Sequence, residues 1–98
     1  MLLSSNMSAP AQDAIWKALA DPTRRAMLDV LREGPRTTGA LCRRFRRLSR
    51  CGVMKHLGIL EKAGLVVVRR KGRFRWNYFN STPIRQIYDR EMKLLIDS

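Results

Sequence analysis

The stretch Ser49-Arg50-Cys51-Gly52-Val53-Met54-Lys55-His56-Leu57-Gly58-Ile59-Leu60-Glu61-Lys62-Ala63-Gly64 decides how this chain is read. Ser49 is a helix N-cap by type, because its hydroxyl can accept a bond from a free amide of the first turn. Val53, Leu57 and Leu60 recur at helical spacing and mark one inward face. Gly64 can take the left-handed conformation that ends a helix. The other side is left with Arg50, Cys51, Met54, Lys55 and Gly58, and His56 falls near the boundary. Gly52 and Gly58 each cost about 1 kcal/mol of helix stability relative to Ala. Close approach to another molecule and tight packing on the preceding helix both account for them.

Working outward, Ile15, Trp16 and Leu19 form an apolar stripe along a helix from Gln12 to Ala20. Asp21-Pro22 restarts the chain as a second helix, with Asp21 as cap and Pro22 at the first position, where a missing N–H is harmless. Ala26, Met27, Val30 and Leu31 carry its apolar face until Gly34-Pro35 stops it. Thr37 or Thr38 then caps a short third helix through Ala40, Leu41 and Phe45. After Gly64, the run Leu65 to Arg70 is rich in β-branched residues, Gly72 supplies a turn, and Phe74, Trp76 and Tyr78 alternate with Arg73, Arg75 and Asn77. That period of two predicts a hairpin with one aromatic and one cationic side; the aromatic side is expected to pack on the helices, against the alternative that it is a stacking platform for single strands. Lys71-Gly72 is a weaker two-residue turn than Asn-Gly, so the turn type stays open. Thr82-Pro83 opens a last helix carrying Ile84, Ile87, Tyr88, Met92 and Leu95. The fold class is therefore mainly α with a β-hairpin: a winged helix-turn-helix of order α-α-α-α-β-β-α. One domain is expected over 12–98 behind a flexible tail at 1–11, in which Met1 and Met7 both qualify as a start.

Charge is confined to the middle of the chain. Residues 1–33 and 81–98 are each neutral, whereas between Gly34 and Asn80 thirteen Lys and Arg oppose the single Glu61 and supply the whole net charge of +12. A basic block between neutral segments describes a surface aimed at a polyanion on a frame with another task. Nucleic acid fits first, because each phosphate contacted releases counterions. The outward face of the helix at 50–62, short and cationic, suits a major groove, where Arg and Lys donate to guanine edges and His contacts base or phosphate. The expected DNA-facing set is Arg50, Met54, Lys55, His56, Thr38 and Ser49, with Arg70, Lys71, Arg73 and Arg75 from the hairpin. Arg43, Arg44, Arg46 and Arg47 form a further cluster that faces phosphates or only adds to the field. The first and last helices lie in the neutral segments, and Ile15, Trp16, Leu19, Ile84, Ile87 and Tyr88 are expected to meet a second subunit.

Leu19-Ala20-Asp21-Pro22-Thr23-Arg24-Arg25, the Gly34-Pro35 stop and Val53 to Val66, with its Lys-His-Leu-x-x-Leu-Glu-x-Ala-Gly-Leu-Val block, resemble the ArsR-type family of bacterial winged-helix repressors. The resemblance spans roughly Ile15 to Asp89. It implies a homodimer that represses transcription from a pseudo-palindromic operator in double-stranded DNA. The alternative from another class is a basic protein of the same fold that binds RNA or DNA without sequence preference.

Several functions are disfavoured. In that family one class of metal sensor carries Cys-x-Cys on the third helix, but here Cys42 is followed by Arg43 and Arg44; another uses Asp and His on the last helix, which here has no His. One His and two Cys per chain make a tetrahedral nitrogen–sulfur site hard to build within a subunit, so no metal and no cofactor are expected. Cys51, near Arg50 at a helix start, and Cys42 on the helix before it are candidates for redox chemistry, against a plain packing role. Enzymatic activity is not expected, since His56 lacks a nucleophile partner and the acidic residues are scattered. No apolar run approaches the ~20 residues of a membrane span, and the start lacks the regions of a signal peptide, which points to the cytoplasm.

Overall fold

Each helix of the computed structural model, which describes residues 8–97, begins or ends on a local signal. Helix α1 (Ala9–Leu19) starts where the Ser8 hydroxyl accepts from the Ala11 amide, with Pro10 in its first turn. It begins ahead of the Gln12 expected from the apolar stripe, because a serine cap and a proline suffice to start a turn that buries nothing. The rest of the expected tail, 1–7 with both candidate start methionines, lies outside the described residues. Helix α2 (Pro22–Arg32) opens on Asp21, whose Oδ2 accepts from the Arg24 amide at 3.0 Å. Helix α3 (Thr38–Arg44) is capped by Thr37, which leaves Thr38 inside the helix. Helix α4 (Arg50–Lys62) is capped by Ser49 and ends at Gly64, φ +80°, where the Leu65 amide donates to Leu60 O and the Gly64 amide to Glu61 O. This pair of bonds is the Schellman arrangement, and its usual apolar contact is available because Leu60 and Leu65 are both fully buried.

Leu65 delivers the chain directly into the sheet. Strand β2 (Val66–Lys71) pairs antiparallel with β3 (Phe74–Phe79) around the two-residue turn Gly72-Arg73, with Gly72 at φ +61°, as a primed turn requires at its first position. A third strand, β1 (Arg36–Thr37), pairs with the other edge of β3, giving the order β1-β3-β2. Helix α5 (Thr82–Asp97) closes the fold against α1. Winged helix-turn-helix architecture is thus present with one strand more than the sequence predicts, since two residues between a proline and a helix show no periodicity.

The core gathers Ile15 and Ala18 of α1, Met27, Leu28 and Leu31 of α2, Leu41 of α3, and Val53, Leu57 and Leu60 of α4, under Leu65, Val66 and Ile87. The inward stripe expected of α4 is the one observed. The hairpin, by contrast, presents the opposite side to that expected. Val66 and Val68 of β2 face the helices, and their partners on β3 are Phe79 and Asn77, so Phe74, Trp76 and Tyr78 lie on the open side. Phe74 is 53% exposed, while Asn77 is 0% exposed. Asn77 belongs inside because its Nδ2 donates to Arg36 O at 3.2 Å and to Thr38 Oγ1 at 3.1 Å, stitching β3 to β1 and to the start of α3. Burial of the Nδ2 group is tolerated because it is bonded in this way, while Oδ1, also buried, has no partner among the described residues.

Leu57→Ala should lower the unfolding free energy by about 2–5 kcal/mol, and Phe74→Ala by no more than about 1 kcal/mol, both read from urea denaturation. A cost at Phe74 equal to that at Leu57 would return the aromatic side to the core.

Candidate nucleic-acid interface

With Val53, Leu57 and Leu60 buried, α4 presents Arg50, Cys51, Lys55 and Gly58 to solvent, with Met54 half-buried beside them. Ser49 is exposed, and its hydroxyl is occupied by the Gly52 amide at 3.0 Å. Gly58 has open space where a Cβ would stand, so packing on α3 does not explain it. Between the start of α3, the first turns of α4 and the hairpin lies a cleft of about 430 Å3. Five arginines line it: Arg43, Arg50, Arg70, Arg73 and Arg75, with Thr37, Gly39 and Met54 between them. Guanidinium groups converging on one groove suit an extended anion, since each donates in a planar fork. Arg43 is the residue of this set that the sequence reading left in an undivided cluster. Its signal was the i, i+4 spacing from Gly39, which puts both on one face of α3. Arg44, Arg46 and Arg47 line other surface hollows.

Three expected DNA-facing residues are held by partners within the fold. Thr38 is 2% exposed and its hydroxyl accepts from Asn77, so it points inward. Of the two threonines that could start α3, Thr37 takes the capping position. Arg75 donates to Glu61 Oε1 at 3.0 Å and ties the hairpin to the last turn of α4; among the described residues its buried Nε lacks a partner. His56 turns towards α2, where its Nδ1 is 3.3 Å from Arg24 Nη1 and 4.0 Å from Asp21 Oδ2. The Arg24 amide bonded to Asp21, helped by the Arg24 guanidinium, holds that carboxyl below its ordinary value of 3.8 despite desolvation. Arg70, Lys71 and Arg73 are exposed; Lys71 Nζ reaches Tyr78 Oη at 3.3 Å, and Arg73 sits 5.8 Å from the Phe74 ring centre.

Of the residues expected at a subunit contact, Ile15 and Ile87 are buried in the chain's own core, and Leu19 and Ile84 pack partly against it. They were assigned to a partner because helical spacing marks an apolar face without saying what covers it. Trp16 and Tyr88 remain outside, 51% and 61% exposed, and the end of α5 adds Met92, Leu94 and Ile96, the last 77% exposed. Cys42 and Cys51 are free thiols; Cys42 packs against the core and Cys51 is exposed.

Comparison with known proteins agrees with this geometry. Residues 19–69 match a family model described as a helix-turn-helix domain. The chain is 39% identical over 82 residues to the HTH-type transcriptional regulator YuzN of Bacillus subtilis, covering 78% of this chain and 89% of YuzN. It is 37% identical over 71 residues to the transcriptional repressor SdpR of the same organism, covering 72% and 78%. Among solved structures it is similar to an ArsR family transcriptional regulator, at 34% identity and a TM-score of 0.77, covering 93% of this chain and 96% of that one.

Because a Cβ at position 58 meets nothing, Gly58→Ala should raise the unfolding free energy by about 0.5–1 kcal/mol. A thermal or urea melt of the free protein checks this, and a destabilised variant would show that the backbone there is constrained.

Proposed function

Since this chain belongs to the ArsR-type family of helix-turn-helix transcriptional regulators, we propose that it is a homodimeric repressor that reads a pseudo-palindromic operator with α4 and needs no metal to do so. The family consists of DNA-binding regulators and not of enzymes. The observation that carries the reading is the placement of Arg50, Met54 and Lys55 on the free side of α4, next to a cleft lined by five arginines. A helix of this kind enters the major groove, where base edges differ, while cations beside it hold the phosphates. Arg73 and Arg70, at and near the hairpin tip, supply the backbone or minor-groove contacts. Ser49 and Arg75 act through the geometry they maintain, Ser49 by starting α4 and Arg75 by bracing the hairpin on it.

Dimerisation is supported by Trp16, Tyr88 and the apolar end of α5, which a 98-residue chain leaves uncovered. The neutral charge of both terminal segments removes repulsion there. Independence from metal is supported by the chemistry of the donors. His56, the one histidine, already accepts from Arg24, and the two thiols sit on different helices without a further histidine on α5. No helix among the described residues is long and apolar enough to cross a membrane. We read the protein as cytoplasmic, since repression at bacterial DNA requires it, and as a single winged-helix domain that starts with α1.

Lys55→Ala should cost roughly 1–3 kcal/mol on the operator and much less on scrambled duplex, while Arg73→Ala should weaken both alike and lower the salt slope by about one unit. Paired salt titrations measure this, using an operator found by footprinting. If Lys55→Ala binds both duplexes as wild type does, α4 is not the reader; if wild type shows no preferred duplex, the protein is a nonspecific nucleic-acid binder.

Sedimentation at micromolar concentration should give about twice the monomer mass, falling towards the monomer in a Trp16→Glu, Tyr88→Glu double variant. Operator affinity should be unchanged by chelator or by added zinc, nickel or cadmium. A clean monomer at all concentrations, or a tenfold loss of affinity with one of those ions, would overturn the corresponding part of the model.

A further inference from the structure

His56 is the residue of the reading helix whose polar state the fold determines. Arg24 reaches it already anchored: its Nε donates to Ala18 O at 2.8 Å and its Nη2 to Lys17 O at 3.0 Å, two carbonyls at the end of α1. That terminus attracts a cation both by hydrogen bonding and by the helix dipole. The third nitrogen, Nη1, meets His56 Nδ1 at 3.3 Å. A guanidinium has five donors and no acceptor, and it stays charged at any ordinary pH. Nδ1 must therefore be the acceptor, and the ring hydrogen must sit on Nε2. Asp21 does not offer the opposite arrangement, because its Oδ2 is 4.0 Å from Nδ1, beyond hydrogen-bond reach. Nε2 has no hydrogen bond among the described residues and is not one of the buried unpartnered atoms, so it is open to solvent.

We infer that Arg24 is a positioning residue for sequence choice: by donating to His56 Nδ1 and so leaving the ring hydrogen on Nε2, it makes this point of α4 a fixed donor that selects an accepting base edge. The inference rests on α4 being the helix that reads DNA. In the major groove the accepting edges are guanine N7 and O6, adenine N7 and thymine O4, whereas the amino groups of cytosine and adenine are refused. A free imidazole interchanges its two nitrogens as donor and acceptor and would discriminate less. The same guanidinium spans the last turn of α1 and the middle of α4.

The full-length protein tests this in two ways. Long-range proton–nitrogen NMR of the imidazole at neutral pH should show one tautomer with hydrogen on Nε2, and a mixture in Arg24→Met. Binding to an operator panel varied one base pair at a time should show that His56→Gln, whose amide nitrogen stands near the place of Nε2, keeps the wild-type preference at one position. His56→Asn, whose amide reaches only the place of Nδ1, should lose about tenfold of that discrimination, the effect of a single hydrogen bond. If Arg24→Met fails to fold, the glutamine and asparagine variants still decide, with circular dichroism confirming their structure. Hydrogen on Nδ1 in wild type, or identical base preferences for the two variants, overturns the inference. Equal weakening of operator and scrambled duplex by His56→Asn would make the contact a phosphate contact and also overturn it. Lys55→Ala separates the two levels: if it loses discrimination while the His56 variants do not, α4 remains the reader and only the Arg24 inference falls.

Discussion

Burial of one stripe, Val53, Leu57 and Leu60, orients everything that touches the outside world. Each of these side chains, fully buried, contributes about 1.5–3 kcal/mol over an exposed one. A rotation of α4 by one residue, about 100°, would bring all three towards water and put Met54, Gly58 and Glu61 in their place. No single hydrogen bond in the molecule opposes rotation so strongly. The Ser49 cap and the Gly64 terminator set where the helix begins and ends, so its phase and its length are both specified. Because Leu65 leaves the helix as a buried core residue, the hairpin inherits that phase: Val66 faces in, Val67 out.

Local devices were legible in the chain and long-range ones were not. Caps, proline starts and glycine stops act within a few residues, and all five helices follow from them. The hairpin was visible from its period of two, but a period does not say which side is covered; that depended on Asn77 finding Arg36 and Thr38 some forty residues away in sequence. The same division runs through the site. Arg50, Met54 and Lys55 were placed correctly on the surface by helical spacing alone. Thr38, His56 and Arg75 are engaged by partners 39, 32 and 14 residues distant, which no window along the sequence contains.

The charge map acquires a structural meaning from these contacts. Glu61, the single acid of the basic segment, is bridged by Arg75 beneath the hairpin. A surface ion pair adds little stability, but it covers the one carboxylate of the basic segment with a guanidinium that lines the arginine cleft. The acidic groups elsewhere lie on the outer helices and near their ends, where they balance the local cations. One end of the fold is therefore strongly cationic and the other nearly neutral, and a dimer formed through the neutral end carries its two cationic ends apart.

The two tryptophans fall one on each of these ends. Trp16 stands on α1 with half its surface in water, and Trp76 lies on the open side of the hairpin beside Arg69. Indole emission shifts to shorter wavelength when water is displaced from the ring. For the proposed dimer, the chain thus holds two native optical reporters, one for subunit contact and one for anything laid along the hairpin. With either indole replaced by phenylalanine, association and DNA engagement separate into two fluorescence signals, and the order in which they occur becomes a stopped-flow measurement on unlabelled protein.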